Sequence, residues 1–207
     1  MEMFTSFQKV MADPDITTAG KSVFLNLLSR MDKKGYCYPA VNTMEKEIGF
    51  CERTIQRQRN ALAEKGYIVK AEQKAMGKQF TNRYYLTPEE QREFFFNDND
   101  IKQWIQEEEV FQEFLKKEEV IVSIEYKYLC LQILYRSMKM NKYEKLLLGY
   151  LIMRADKEAF TYFSIERLAA TLRIPFYKTR RALKTLIYRK LLHISQKIIH
   201  GECVMFV

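Results

Sequence analysis

Apolar residues set the rhythm of the first third of the chain. Val23, Phe24, Leu27, Leu28 and Met31 recur every three to four positions, the spacing that gathers them on one face of a helix. Thr17 or Thr18 stands where such a helix needs an N-cap. A turn at Gly35 then leads into a short extended piece, Tyr36–Pro39. A second helix is predicted from about Val41 to Ile48, burying Val41, Met44 and Ile48 and stopping at Gly49, a residue suited to a left-handed C-cap. The third begins near Cys51 or Glu52 and runs to about Lys65, with Gly66 closing it. Tyr67–Val69 and Arg83–Leu86 alternate like strands around a polar, glycine-containing tip, the pattern of a hairpin.

The same pattern returns later. Lys21 falls on Lys145, an offset of 124 residues, and at that offset Phe24 falls on Leu148, Leu27 on Leu151, Arg30 on Arg154, Ile48 on Leu172, Arg57 on Arg181 and Leu62 on Leu186. No gap is needed across this run, so the chain reads as two copies of one unit. The second copy is predicted to have helices at about Lys142–Met153, Ser164–Leu172 and Pro175–Lys190, with Ser164 capping the middle one and Pro175 in a first-turn position that tolerates proline. A strand at Phe160–Phe163 precedes the middle helix, and Leu192–Ile199 with Cys203–Val207 form a closing hairpin shorter than the first.

Composition supports a folded, helix-rich chain. The 207 residues are 47% hydrophobic and 14% aromatic, enough for packed cores, and contain only seven Gly and four Pro. No glycine occurs between Gly77 and Gly149, so the middle is expected to be helical. This length holds one ordinary domain or two small ones. The net charge of +8 is unevenly spread: roughly +5 over residues 1–86, roughly −7 over 87–119 and roughly +10 over 120–207. Basic ends around an acidic middle point to a polyanionic partner, nucleic acid or an anionic surface.

The candidate chemistry is sparse. Cys37, Cys51, Cys130 and Cys203 are far apart, and His193 and His200 are the only histidines, so no zinc-ligand spacing is present and no metal or cofactor is expected. There is no phosphate-cradling glycine loop, nucleophile elbow or HExxH, and the chain is expected not to be an enzyme. The first residues lack a signal-peptide layout and no apolar stretch approaches the roughly 18 residues of a spanning helix, so a cytoplasmic protein with no membrane role is expected.

The order helix, strand, helix, tight turn, helix, hairpin resembles a winged helix-turn-helix. Tyr38–Ile68, YPAVNTMEKEIGFCERTIQRQRNALAEKGYI, looks like the module of many bacterial regulators and plasmid or phage replication proteins, and Ser164–Ile194 is similar in pattern. The resemblance implies a mainly α fold with small β-hairpin wings: two winged helix-turn-helix domains, 1–86 and 120–207, joined by an acidic helical linker, 87–119. It also implies double-stranded DNA as the partner, with the third helix of each copy entering the major groove. Arg53, Thr54, Gln56, Arg57 and Asn60 then fall on the outward face of the first such helix, opposite Ile55 and Leu62. In the second, Lys178, Arg180, Arg181 and Lys184 face outward, opposite Thr179, Leu183 and Leu186. Lys74, Lys78 and Arg83 of the first hairpin are placed to follow a phosphate track or enter the minor groove.

Two positions depart from the pattern. Arg59 occupies the place of Leu183, so it is expected either to pair with a carboxylate or to signal a rotated helix. Phe176 and Tyr177 open the second recognition helix and are expected to pack against a neighbouring element. The first module accordingly reads as the sequence reader and the second as the backbone grip. In the linker, Trp104, Ile105, Phe111, Phe114 and Leu115 lie at helical spacing; it serves either as a connector packed on the modules or as a homodimerisation helix. For the whole chain, replication initiation is favoured by a loose likeness of residues 4–32 to the opening of phage and plasmid replication proteins. A transcriptional regulator without a sensor domain, or a protein-interaction scaffold, are the alternatives.

Overall fold

The elements follow from where the chain punctuates itself. The computed structural model describes residues 5–31, 35–71, 74–75, 78–79, 82–86, 124–137, 139–155, 160–199 and 202–206; the acidic linker lies outside them. The first group comprises α1 (Thr5–Ala12), α2 (Thr18–Leu28), β1 (Tyr36–Cys37), α3 (Val41–Ile48), α4 (Glu52–Glu64), β2 (Ile68–Ala71), β3 (Lys74–Ala75), β4 (Lys78–Gln79) and β5 (Arg83–Leu86). The second comprises α5 (Ile124–Arg136), α6 (Lys142–Arg154), β6 (Phe160–Phe163), α7 (Ile165–Leu172), α8 (Phe176–Tyr188), β7 (His193–Ile199) and β8 (Glu202–Phe206). The fold is mainly helical, with small antiparallel sheets.

Caps fix the helix starts. The Thr17 side chain accepts the amide of Gly20 at the head of α2. Asn141 forms a full capping box with Glu144 at the head of α6, and Ser164 accepts the amide of Arg167 to start α7. Gly49 at φ +80° and Gly66 at φ +74° turn the chain out of α3 and α4 through the left-handed region.

Elements in the two groups fall in step. Val41 and Ile165, Ile48 and Leu172, Glu52 and Phe176, and Glu64 and Tyr188 bound α3 against α7 and α4 against α8, each pair 124 positions apart. Arg173 at φ +54° and Lys190 at φ +58° take the backbone conformation of Gly49 and Gly66 at the same offset. Both three-stranded sheets have one order, β1-β5-β2 and β6-β8-β7, with Cys37 opposite Tyr84 and Phe163 opposite Cys203. β3 and β4 add a short ladder near the tip of the first hairpin.

Sequence periodicity gives α2 one apolar face, yet residues from Ala19 to Leu28 are all buried, as are Glu144 to Met153 in α6. The cause is that α2 and α6 pack on each other as well as on their own groups. Leu25 meets Gly149 at this contact, and the Phe7 and Tyr150 rings lie 5.9 Å apart. α1 sits against α7, and α5 against α3. Neither α1 nor α5 announces its bounds through apolar periodicity in the sequence.

Polar groups trapped here find acceptors. Lys21 Nζ donates to Met11 O (2.7 Å) and to Thr171 O. Lys145 Nζ donates to Tyr135 O (3.2 Å) and to Glu47 O (2.6 Å). Burial pulls both ammonium groups below their ordinary range, Lys21 to about 8. The Glu47 side chain accepts from Asn26 Nδ2 (2.9 Å) and pairs with Arg30.

α2 and α4 approach closely at Gly20, where a Cβ would stand 2.8 Å from both Gln58 Oε1 and Ile16 Cγ2. Gly20→Ala is therefore expected to lower stability by about 1–3 kcal/mol, even though alanine is the better helix former by ~1 kcal/mol. Denaturant midpoints decide the matter; an unchanged or higher midpoint contradicts the packing.

Candidate nucleic-acid interface

The helix-turn-helix is built on α3, the turn at Gly49–Cys51, and α4. Ile55, Gln58, Arg59 and Leu62 form the buried stripe of α4, and Thr17 Oγ1 donates to Gln58 Oε1 at 2.8 Å, fixing the helix against the head of α2. With that face held, Arg53, Gln56, Arg57 and Asn60 are exposed, and Thr54 is half-buried. Arg53, Arg57 and Asn60 follow the i, i+4, i+7 spacing of a single helical ridge. Gln56 Nε2 donates to Glu52 Oε1 (3.0 Å), and Asn60 Oδ1 accepts from Lys70 Nζ of β2 (3.3 Å). Cys51 lies exposed at the N-terminal end of α4; its hydrogen bond with the Thr54 hydroxyl (3.2 Å) lowers the thiol's pKa.

In α8, Thr179, Ala182, Leu183 and Leu186 are buried, and Arg180, Arg181 and Lys184 are exposed. Lys178 is half-buried instead of fully outward: its Nζ donates to Tyr143 OH at 3.1 Å and lies over the Tyr143 ring at 4.9 Å. Phe176 and Tyr177 also depart from expectation. They are 47% and 67% exposed on the first turn of α8, where the sequence predicts cover by a neighbouring element. Tyr188, which sequence reasoning passed over, is 88% exposed. With Tyr177, Arg181 and Lys184 it completes a ridge at i, i+4, i+7 and i+11 spacing, two cations flanked by an aromatic at each end.

The hairpin residues divide. Arg83 is half-buried with its guanidinium 5.0 Å over the Tyr36 ring, on the sheet face where Tyr36 also meets Tyr85 and Tyr38. Lys74 and Lys78 sit on β3 and β4, adjoining in register through the Ala75–Lys78 pair.

Arg59 has an aromatic partner, not the expected carboxylate. The residue is 6% exposed, and its guanidinium stands 4.9 Å from the Tyr84 ring centroid. The helix is not rotated, since Ile55 and Leu62 are both fully buried. Nε finds no acceptor among the described residues, and burial weighs against the charge. Arg59→Leu, which installs the residue type of position 183, is thus expected to be neutral or stabilising in equilibrium unfolding. A loss above about 1 kcal/mol would mean that the cation–ring contact outweighs the desolvation.

Both α4 and α8 are tied down at their C-terminal ends. Lys65, the C-cap of α4, bridges Asp13 (2.9 Å) and Asp15 (3.0 Å), and Tyr67 OH donates to Asp13 (2.9 Å). Arg189, the C-cap of α8, donates to Lys139 O (2.8 Å) and Glu144 (3.4 Å). The Lys65 hydrogen bond leads the causes that hold the Asp13 carboxyl at about 2, against an ordinary 3.8. A depressed folded-state pKa contributes stability above the ordinary value and loses it as pH falls through the folded one. The stability difference between the wild type and Asp13→Asn should therefore be constant near neutrality and shrink between 3.8 and about 2. A pH-independent difference in urea melts excludes the ion pair as its source.

Residues 15–68 match the model of a helix-turn-helix domain family, a span running from two residues before the Thr17 cap of α2 to the first residue of β2. No curated protein matches the chain. Among the described residues no group of three or more His, Cys, Asp or Glu is placed to hold a metal ion, and no helix is long and apolar enough to cross a membrane.

Proposed function

We propose that the chain is a double-stranded DNA-binding protein with two winged helix-turn-helix modules, residues 1–86 and 120–207, joined by the acidic segment 87–119. One observation carries this reading. The matched helix-turn-helix presents the exposed Arg53–Arg57–Asn60 ridge on the helix whose task in such a motif is groove contact. At the offset of 124, Arg57 and Asn60 fall on the exposed Arg181 and Lys184 of α8, Gln56 falls on Arg180, and Arg53 falls on Tyr177. The hairpins serve as wings, with Arg83, Lys74 and Lys78 toward the phosphates. The protein acts by binding and not by catalysis. Its role is replication initiation of a plasmid or phage type, the reading favoured by the likeness of its N-terminal residues to such proteins.

Arg57 reads bases and Arg181 grips the backbone. Arg57→Ala should cost about 1–3 kcal/mol and relax sequence preference, whereas Arg181→Ala should weaken binding evenly across sequences and lower the salt slope by about 1. Gel shifts on selected and scrambled duplexes measure both. The reading fails if the wild-type chain shows no salt-sensitive duplex binding at about 50 mM salt.

A further inference from the structure

The contact between the two groups of elements is reciprocal. Lys21 crosses to the carbonyl of Thr171 near the end of α7, and Lys145 crosses to the carbonyl of Glu47 near the end of α3. Their second acceptors, Met11 O and Tyr135 O, stand on α1 and α5. Every one of these residues maps onto its counterpart at the offset of 124. Helix contacts obey the same rule: α1 lies against α7 and α3 against α5, while α2 and α6 meet each other. When i touches j′ and i′ touches j, the operator relating the copies is a two-fold rotation, the isologous arrangement of a symmetric dimer. Two modules related by translation would make unlike contacts on each side.

The turn before each recognition helix lies at this same contact. Thr18 Oγ1, at the head of α2, donates to Leu172 O (3.1 Å) and Arg173 O (2.6 Å) at the turn preceding α8. Lys142 Nζ, at the head of α6, stands 4.3 Å from the Phe50 ring centroid in the turn preceding α4. The interface thus contacts the turns that lead into both α4 and α8, whose N-terminal ends are the ones that meet base edges in this motif.

We infer that a single chain binds DNA as a covalent pseudo-dimer, and that its target is one pair of half-sites in inverted orientation, α4 reading one and α8 contacting the other. This rests on the DNA-binding reading above. The half-sites differ in sequence, because the residues that lead each helix do: Glu52, Arg53 and Gln56 on α4, and Phe176, Tyr177 and Arg180 on α8, where Arg181 behind them supplies the backbone grip. The target is an imperfect palindrome, and the chain sits on it in one direction.

The test uses the full-length chain and sites selected from random duplex DNA. The two half-sites are then placed inverted, directly repeated, or singly in otherwise identical duplexes and compared at one salt concentration. The expected result is one chain per inverted duplex by sedimentation, bound at least about 100-fold tighter than either alternative. Hydroxyl-radical footprints of Arg57→Ala and Arg181→Ala should lose protection on opposite halves. Preference for the direct repeat, equal affinity for a single half-site, two chains per inverted duplex, or loss of the same half by both variants overturns the inference while leaving DNA binding intact. No duplex binding at all overturns the DNA reading and the inference with it.

Discussion

An ammonium group cannot be enclosed without acceptors, and Lys21 and Lys145 are each enclosed where α2 and α6 meet. Each is served by one carbonyl from its own group of helices and one from the other. The borrowed carbonyls belong to the last turns of α3 and α7, where helix carbonyls lack intrahelical partners and a cation is favourable. One pair of side chains therefore satisfies two helix ends and fixes how the halves sit together. The turns into α4 and α8 follow directly after those ends, so the pose of both helices inherits this constraint.

Much of the local structure was legible because its determinants are local. Gly49 and Gly66 marked the ends of α3 and α4, Ser164 marked the start of α7, and the offset of 124 carried the boundaries of one set onto the other. What escaped depends on the other half of the chain. The apolar run of α5 has no sharp period, and α1 is only two turns long; both are stabilised by packing on distant elements. The burial of Lys21 and Lys145 has the same origin, since nothing in their neighbourhoods announces a second helix across the contact.

The candidate interface was legible in its stripe and less so in its details. Spacing separated Arg53, Arg57, Arg180, Arg181 and Lys184 from the buried residues beside them. It could not show that Lys178 is drawn to Tyr143, or that Arg83 stacks on Tyr36, because each contact joins elements distant in sequence. Arg59 is the instructive case. Its burial could be read from its register, but its partner, the Tyr84 ring, comes from a strand whose position depends on the whole hairpin.

The left-handed positions separate the two halves in another way. The N-terminal half fills them with Gly49 and Gly66, the C-terminal half with Arg173 and Lys190. A side chain in that conformation carries a strain of about 1–2 kcal/mol. For Arg173 there is a compensation: its guanidinium donates to the carbonyl of Pro14, in the opposite half. The residue that strains one half is thus also a tether to the other. The strain at Arg173 is offset by a contact that exists only when both halves are packed together, whereas Gly49 needs no such offset. At this position one side chain does what glycine does in the other half, and in doing so it binds the two halves together.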